Sequence, residues 1–310
     1  MTQADEYDSP WKEAISVYFP LFLSFFFPEI HAGINWSWGY EFLDKELQKI
    51  VRNASTGNQE TDKLVKVWRN NGEETWVLIH IEVQSQAQTH FPQRMYLYHT
   101  LIFQRYRKPV VSLAILADEQ KNWRPQQYNT ELWGCRVALE FPIAKLLDYQ
   151  EQIPQLRESR NPFAVIVEAH LATQQTRNTP QTRYQQKLRL VKSLYRRGYG
   201  REDILELFRL IDWMLKLPES LEADFGEEIE QFEEENRMGY ITSIERRGMQ
   251  QGIRQGIQDL LEARFPQVSD ALILAIQEID DIAVLRSLLT QAGTINSLEE
   301  FEQSLPIQSE

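Results

Sequence analysis

The strongest constraint on the fold is a pair of apolar-alternating runs separated by a turn. Asp62–Trp68 (DKLVKVW) and residues 75–84 (TWVLIHIEVQ) flank the sequence Asn70-Asn71-Gly72-Glu73. Alternation with period two marks strands, and an Asn/Gly cluster between two such runs marks a hairpin reversal. A third run, 109–117 (PVVSLAILA), is almost continuously apolar, as a strand covered on both faces requires. Between the second and third runs, Phe91–Tyr106 carries Met95, Leu97, Tyr98, Leu101 and Ile102 at helical spacing. Upstream, residues 8–27 read as a helix. Ser9 can cap it, Pro10 suits its first turn, and Trp11, Ile15, Tyr18, Phe19 and Phe22 form its apolar face. Pro20 should kink or split it. Residues 41–52 fit a helix, with a bent strand as the alternative. This succession predicts a mixed α/β sheet with helices packed on it.

Beyond position 148 the periodicity is almost purely helical, over 163–173, 183–197, 202–215 and 221–239, after a further strand at 135–141. From Ile241 on, the chain reads as a small helical appendage with amphipathic segments at 269–279 and 282–291. The expected organisation is therefore residues 1–150 as an α/β domain, 151–240 as a helical extension and 241–310 as a small helical domain. A chain of 310 residues with 42% hydrophobic and 25% charged residues can bury a real core, which excludes wholesale disorder. One cysteine excludes an intramolecular disulfide framework and any multi-cysteine zinc site. The longest apolar stretch, 21–27, lies between Pro20 and Pro28, far short of the ~20 residues of a bilayer span. The acidic opening residues lack the layout of an export signal, so no membrane and a cytoplasmic location are expected.

Strand periodicity decides which side chains share a face. Val77, Ile79, Ile81 and Val83 point one way, and His80, Glu82 and Gln84 the other. In the preceding strand, Val65 and Val67 oppose Asp62 and Lys66. A three-residue loop would pair Asp62 with His80 and put Glu82 diagonally beside it; a two-residue Asn71-Gly72 turn would separate the carboxylates onto opposite faces. The apolar faces match only with an odd loop, which is the expectation. Two carboxylates converging from adjacent strands suit a hard divalent cation, Mg²⁺ or alternatively Mn²⁺, with the carbonyl of Val83 as a further ligand. A metal held this way activates water and stabilises charge on a phosphodiester oxygen.

Tyr7-Asp8-Ser9-Pro10-Trp11-Lys12, Asp62-Lys63-Leu64-Val65, Ile81-Glu82-Val83-Gln84-Ser85 and then Arg94 together resemble the bacterial Rpn family. These are recombination-promoting nucleases, also classed with transposases, of the PD-(D/E)XK superfamily. The resemblance covers roughly the first half, and the tail resembles a small helical domain often attached to such proteins. It implies a restriction-endonuclease-like mixed sheet flanked by helices and a Mg²⁺-dependent DNA endonuclease activity. It also implies Asp62 and Glu82 as the motif acids, Asp8 as an assisting acid, and Gln84 where the superfamily usually has lysine. Glutamine can orient a water but brings no charge; Lys66 or Arg94 would supply it. DNA is the implied partner, and double-strand cutting by a one-site enzyme would favour a homodimer. The alternative is a degenerate nuclease fold that binds DNA or a protein without cutting.

The net charge of -12 argues against an indiscriminate nucleic-acid binder, but the charge is uneven. Residues 183–209 hold eight basic residues against three acidic ones, and 219–235 hold nine acidic residues and no basic one. Lys187, Arg189, Lys192 and Arg196 are candidate phosphate contacts; the plainer expectation pairs this strip with the acidic run. His80 shares the Glu82 face, where a lone histidine is more often a structural hydrogen-bonding group. Cys135, in an apolar strand-like stretch, is expected to be an inert core thiol. Gly248, Gly252 and Gly256 suit either a close helix-packing face or a flexible linker.

Overall fold

The computed structural model describes residues 8–53, 62–70, 76–236, 239–265, 267–279, 282–295 and 297–305. The chain divides into two units, Met1–Phe225 and Gly226–Glu310, in place of boundaries at 150 and 240.

In the first unit, α1 (Asp8–Phe26) leads through α2 (Pro28–Ala32) and a 3-10 turn, Trp36–Trp38, into β1 (Tyr40–Phe42) and α3 (Asp44–Asn53). Residues 41–52 thus hold a short strand and then a helix, so each earlier alternative applies to part of them. Next come β2 (Asp62–Trp68), β3 (Trp76–Gln84), α4 (Phe91–Tyr106) and β4 (Val110–Leu116). Then follow β5 (Gln127–Leu132), β6 (Cys135–Glu140) and β7 (Ile143–Lys145). The main sheet has the order β1-β2-β3-β4-β7, antiparallel from β1 to β3 and parallel from β3 to β7. The architecture is mixed α/β.

Alternation works as the periodicity predicts. Leu64 and Leu78 pack with Leu47, Tyr98 and Ile102, which places α3 and α4 on one face. On the other face Val65, Val67, Ile79, Ile81 and Val83 are buried, and α1 lies against β3. Helix α1 breaks at Tyr18 (φ -119°, ψ 33°), two residues before Pro20, whose ring and missing N–H cannot continue a regular turn.

The helices α5 (Ile153–Glu158), α6 (Pro162–Gln175), α7 (Pro180–Arg196) and α8 (Arg201–Met214) belong to this same unit. Helix α6 is buried on every side from Pro162 to Thr173. A helix apolar all round needs neighbours all round, and α1, α5, α7 and α8 supply them. His170 on α6 is a satisfied structural histidine. Its Nε2–H donates to the Ala117 carbonyl at 2.9 Å, and Nδ1 faces Trp11 Nε1 at 3.5 Å. Burial pushes it down to about 4, so it is neutral near pH 7.

The strand at 135–141 forms, but as β6 in a separate two-stranded ribbon with β5. Cys135 is therefore exposed, against the core position expected for it, because this end of the ribbon has no layer over it. The ribbon turns at Trp133 (φ 51°) and Gly134 (φ 78°), between the paired Leu132 and Cys135. Two central residues with positive φ make a type I′ turn, which favours Asn-Gly and strains a bulky residue. Trp133 is also 97% exposed, so its indole returns no burial energy. Trp133→Asn should raise stability by about 0.5–1 kcal/mol, read as a higher denaturant midpoint; a lower midpoint would mean that the indole has a folded-state contact.

In the second unit, α10 (Thr242–Arg264), α11 (Asp270–Gln277), α12 (Ile282–Thr294) and α13 (Leu298–Gln303) enclose Ile257, Leu261, Leu272, Ile276, Leu285, Leu288 and Phe301. The boundary between the units falls inside α9 (Glu219–Glu235). The glycine series lies within continuous helix, so the linker alternative is corrected. A Cβ at Gly256 would meet Leu289 at 3.3 Å, a close helix approach, whereas one at Gly252 would meet nothing within 4 Å. No helix among the described residues is long and apolar enough to cross a membrane.

Candidate active site

Strands β2 and β3 pair with Asp62 opposite Glu82 and Trp68 opposite Trp76. Positions 69 to 75 lie between the last pair, an odd number, so the parity matches the expectation while the register differs by two. Position 62 faces Glu82 directly instead of His80, which puts both residues on one face of the sheet. The loop residues 71–75 lie outside the described residues. So do the side chains of Asp62 and of Asp8, the first residue of α1.

Glu82 is fully buried. Arg94 Nη2 donates to Glu82 Oε1 at 2.5 Å and also to Gln84 Oε1, while Nη1 donates to Gln88 Oε1 at 2.8 Å. Local sequence explains how a helix residue reaches a strand end. Phe91, Met95, Tyr98 and Ile102 recur at three- and four-residue spacing and are buried, with Phe91 and Met95 packed beside Ala114 and Leu116. Arg94, one residue before Met95, is thereby held over the C-terminal end of β3. Gln84 Nε2 donates to the Gln86 carbonyl at 2.6 Å. Both ends of this amide are thus engaged, one with the Gln86 carbonyl and the other with the Arg94 guanidinium.

Of the two candidate cations, the structure brings Arg94 to Glu82 and leaves Lys66 away. Lys66 pairs with Leu78 in the register, four residues or about 13 Å along the strand from position 62, and its ammonium is 3.5 Å from Glu41. The Val83 side chain points into the opposite, buried face, so only its carbonyl would remain as a ligand. Lys12, one helical turn beyond Asp8, stands in the first stretch that carries the resemblance without a role implied for it, and its charge favours the ionised form of Glu82. The i, i+4 spacing from Asp8 was the available signal.

Beneath Glu82 lies a second polar group. His80 is fully buried, with Nδ1 3.3 Å from Ser112 Oγ, its neighbour in the β3–β4 register. The same hydroxyl is 3.1 Å from His99 Nδ1. His80 Nε2 is 3.9 Å from Glu82 Oε2, too far to bond. Neither atom has a hydrogen-bond partner among the described residues, and neither has Arg94 Nε. Burial raises the Glu82 carboxyl above the usual range, opposed by the charge and hydrogen bond of Arg94 and the charge of Lys12. Burial, with lesser contributions from His99 and Arg94, pushes His80 down to about 3. The imidazole is neutral at pH 7.

Among the described residues no three His, Cys, Asp or Glu side chains converge to hold a metal. Glu82 and His80 make two, with position 62 opposite. The cavity in the second unit, about 460 Å³, is lined by Gln250, Arg254, Gln255, Gln258 and Ile276 among others. Amides and a guanidinium offer no carboxylate ligand, so this cavity does not suit metal-assisted hydrolysis.

The basic strip is corrected in part. Lys187 is fully buried, 2.6 Å from Asp212 and 3.3 Å from Glu222, with its ammonium over the Phe225 ring. Arg189 Nη1 donates to the buried Glu168 at 2.6 Å. Burial removes Lys187 as a phosphate contact, whereas Arg189 and Lys192 are half-buried and Arg196 is exposed. The plainer expectation is met at Lys187, whose partner Glu222 belongs to the acidic run. The chain matches no family model, no curated protein and no solved structure.

Proposed function

We propose that the chain is a metal-dependent nuclease of restriction-endonuclease-like fold that hydrolyses DNA phosphodiester bonds. The observation that carries this reading is the β2–β3 register, which sets Asp62 opposite a buried carboxylate with one oxygen on Arg94 and the other without a partner among the described residues. An unpaired buried carboxylate oxygen is costly, and a cation would satisfy it. Glu82 and Asp62 would hold a divalent ion, with the Val83 carbonyl as a further donor. The bound metal supplies Lewis acidity toward a phosphoryl oxygen and lowers the pKa of water. Arg94 would provide the fixed positive charge that lysine brings in related sites. Gln84 and Gln88 keep the guanidinium in place. Water is consumed and each cut leaves one hydroxyl and one phosphate end, a chemistry usable in DNA rearrangement.

The test is conversion of supercoiled plasmid with Mg²⁺, with Mn²⁺ and with chelator. Nicked and linear products should form only with metal, and Asp62→Ala should slow their formation at least about a hundredfold, the loss of about 3 kcal/mol of transition-state stabilisation. No conversion with either metal, or an unimpaired Asp62→Ala, would count against the proposal. One observation favours a binding module instead: both ends of the Gln84 amide are occupied where an active site would use a free group. Metal-independent DNA binding without any nicking would select that reading.

A further inference from the structure

We infer that His80 is a nitrogen ligand of the metal at this site, and that the site consequently takes Mn²⁺ in preference to Mg²⁺. This rests on the metal-site reading above and extends it to the ion's identity. His80 Nε2 and Glu82 Oε2 are both buried, both without a hydrogen-bond partner among the described residues, and 3.9 Å apart. That separation is too long for a hydrogen bond, but two ligands each about 2.1 Å from one ion can lie up to about 4.2 Å apart.

The groups behind the imidazole fit the same role. Ser112 Oγ lies between His80 Nδ1 at 3.3 Å and His99 Nδ1 at 3.1 Å. A hydroxyl can accept one hydrogen bond and donate another. With His80 Nδ1–H donating to Ser112 and Ser112 donating to His99, the lone pair of His80 is on Nε2, facing Glu82. A metal-bound histidine is commonly held in this way, its remote N–H fixed by a second group. The reverse wiring would put an N–H where the ion must sit, so only the first wiring lets one ion satisfy both buried atoms. Arg94 caps Oε1 and leaves Oε2 for the ion. Imidazole nitrogen favours first-row transition ions, whereas Mg²⁺ prefers oxygen donors alone.

The experiment uses the full chain stripped with chelator and titrated with Mn²⁺ alone, then with Mg²⁺ as competitor. Pulsed electron paramagnetic resonance on the Mn²⁺-loaded protein reads coupling to a ¹⁴N nucleus. The expected result is one site with directly coupled nitrogen and at least about a tenfold preference for Mn²⁺ over Mg²⁺. His80→Gln should remove the coupling and most of that preference, while His99→Gln keeps the coupling. Ser112→Ala should weaken Mn²⁺ binding about tenfold with the coupling retained. Mn²⁺ bound without nitrogen coupling, or with a preference untouched by His80→Gln, overturns the inference and leaves the carboxylate site standing. Absence of any Mn²⁺ binding overturns both. Because the decisive signal is read in the wild-type chain, a poorly folding variant does not rescue the claim.

Discussion

Replacing Glu82 with glutamine should lower metal-dependent DNA cleavage by at least about a hundredfold and, in the metal-free protein, raise thermal stability near neutral pH. The two effects have one cause. A buried carboxylate is poised for a cation, and without the cation its charge is poorly solvated. Arg94 and Lys12 favour the ionised form, but burial outweighs them and the pKa is raised. The folded chain therefore holds this proton at a pH where the unfolded chain has released it. Stability from this group is complete below the ordinary carboxylate pKa of about 4.5 and is lost as pH rises through the higher folded value. Glutamine keeps the shape and carries no titrating proton, so its advantage should appear on going from about pH 4 to about pH 8. Arg94 retains Gln84 and Gln88 as acceptors in the variant. Calorimetric scans of both proteins with chelator check the sign. A variant less stable than wild type near pH 8, or one that still cuts DNA, would contradict the account.

The largest stability loss is expected from Glu168→Gln. Glu168 on α6 is 2% exposed and receives Arg157 at 3.1 Å, Arg189 at 2.6 Å and Arg197 at 3.2 Å. One carboxylate thus ties α5, α6, α7 and the residue after α7 together. Arg197 is itself buried and donates to the carbonyls of Leu156 and Ser159. Removing the negative charge leaves that guanidinium buried without its counter-ion, which costs about 3–5 kcal/mol. The exposed pair Arg124–Asp148 provides the contrast, because removing it should cost less than about 1 kcal/mol. Denaturant unfolding of the two variants side by side measures the difference. Equal small losses would mean that the cluster at Glu168 is solvated in solution.

Much of the fold could be read from the chain because its signals are local. The bounds of β2 and of α4, the two faces of β3 and the helical run after position 148 follow from periods of 2 and 3.6 residues. The kink in α1 follows from Pro20 and the glycine approach at position 256 from a missing Cβ. The candidate site was legible as residue types on one face, Glu82 with Gln84 and an opposing Asp62. Its inner part was not. Ser112 and His99 carry no spacing signal toward His80, and the resemblance that includes Lys12 implies no role for it.

Cys135 and Lys187 show where local reading fails. An apolar, alternating strand is the same string in a central sheet and in a ribbon that stands free, so the exposure of Cys135 depends on where β6 pairs. Lys187 looks like any basic residue on a helix until Asp212 and Glu222 arrive from other helices to bury its charge.

What the amino-acid order alone determined here is the identity and facing of each element, since side-chain direction along a helix or strand is set by backbone geometry within a few residues. What only the tertiary structure decided is the pairing: 62 with 82, Arg94 with Glu82 and Gln84, and three arginines with Glu168. Such pairings join positions distant in sequence, and they are selected by the packing and compensated charge of the whole unit, which no single segment encodes.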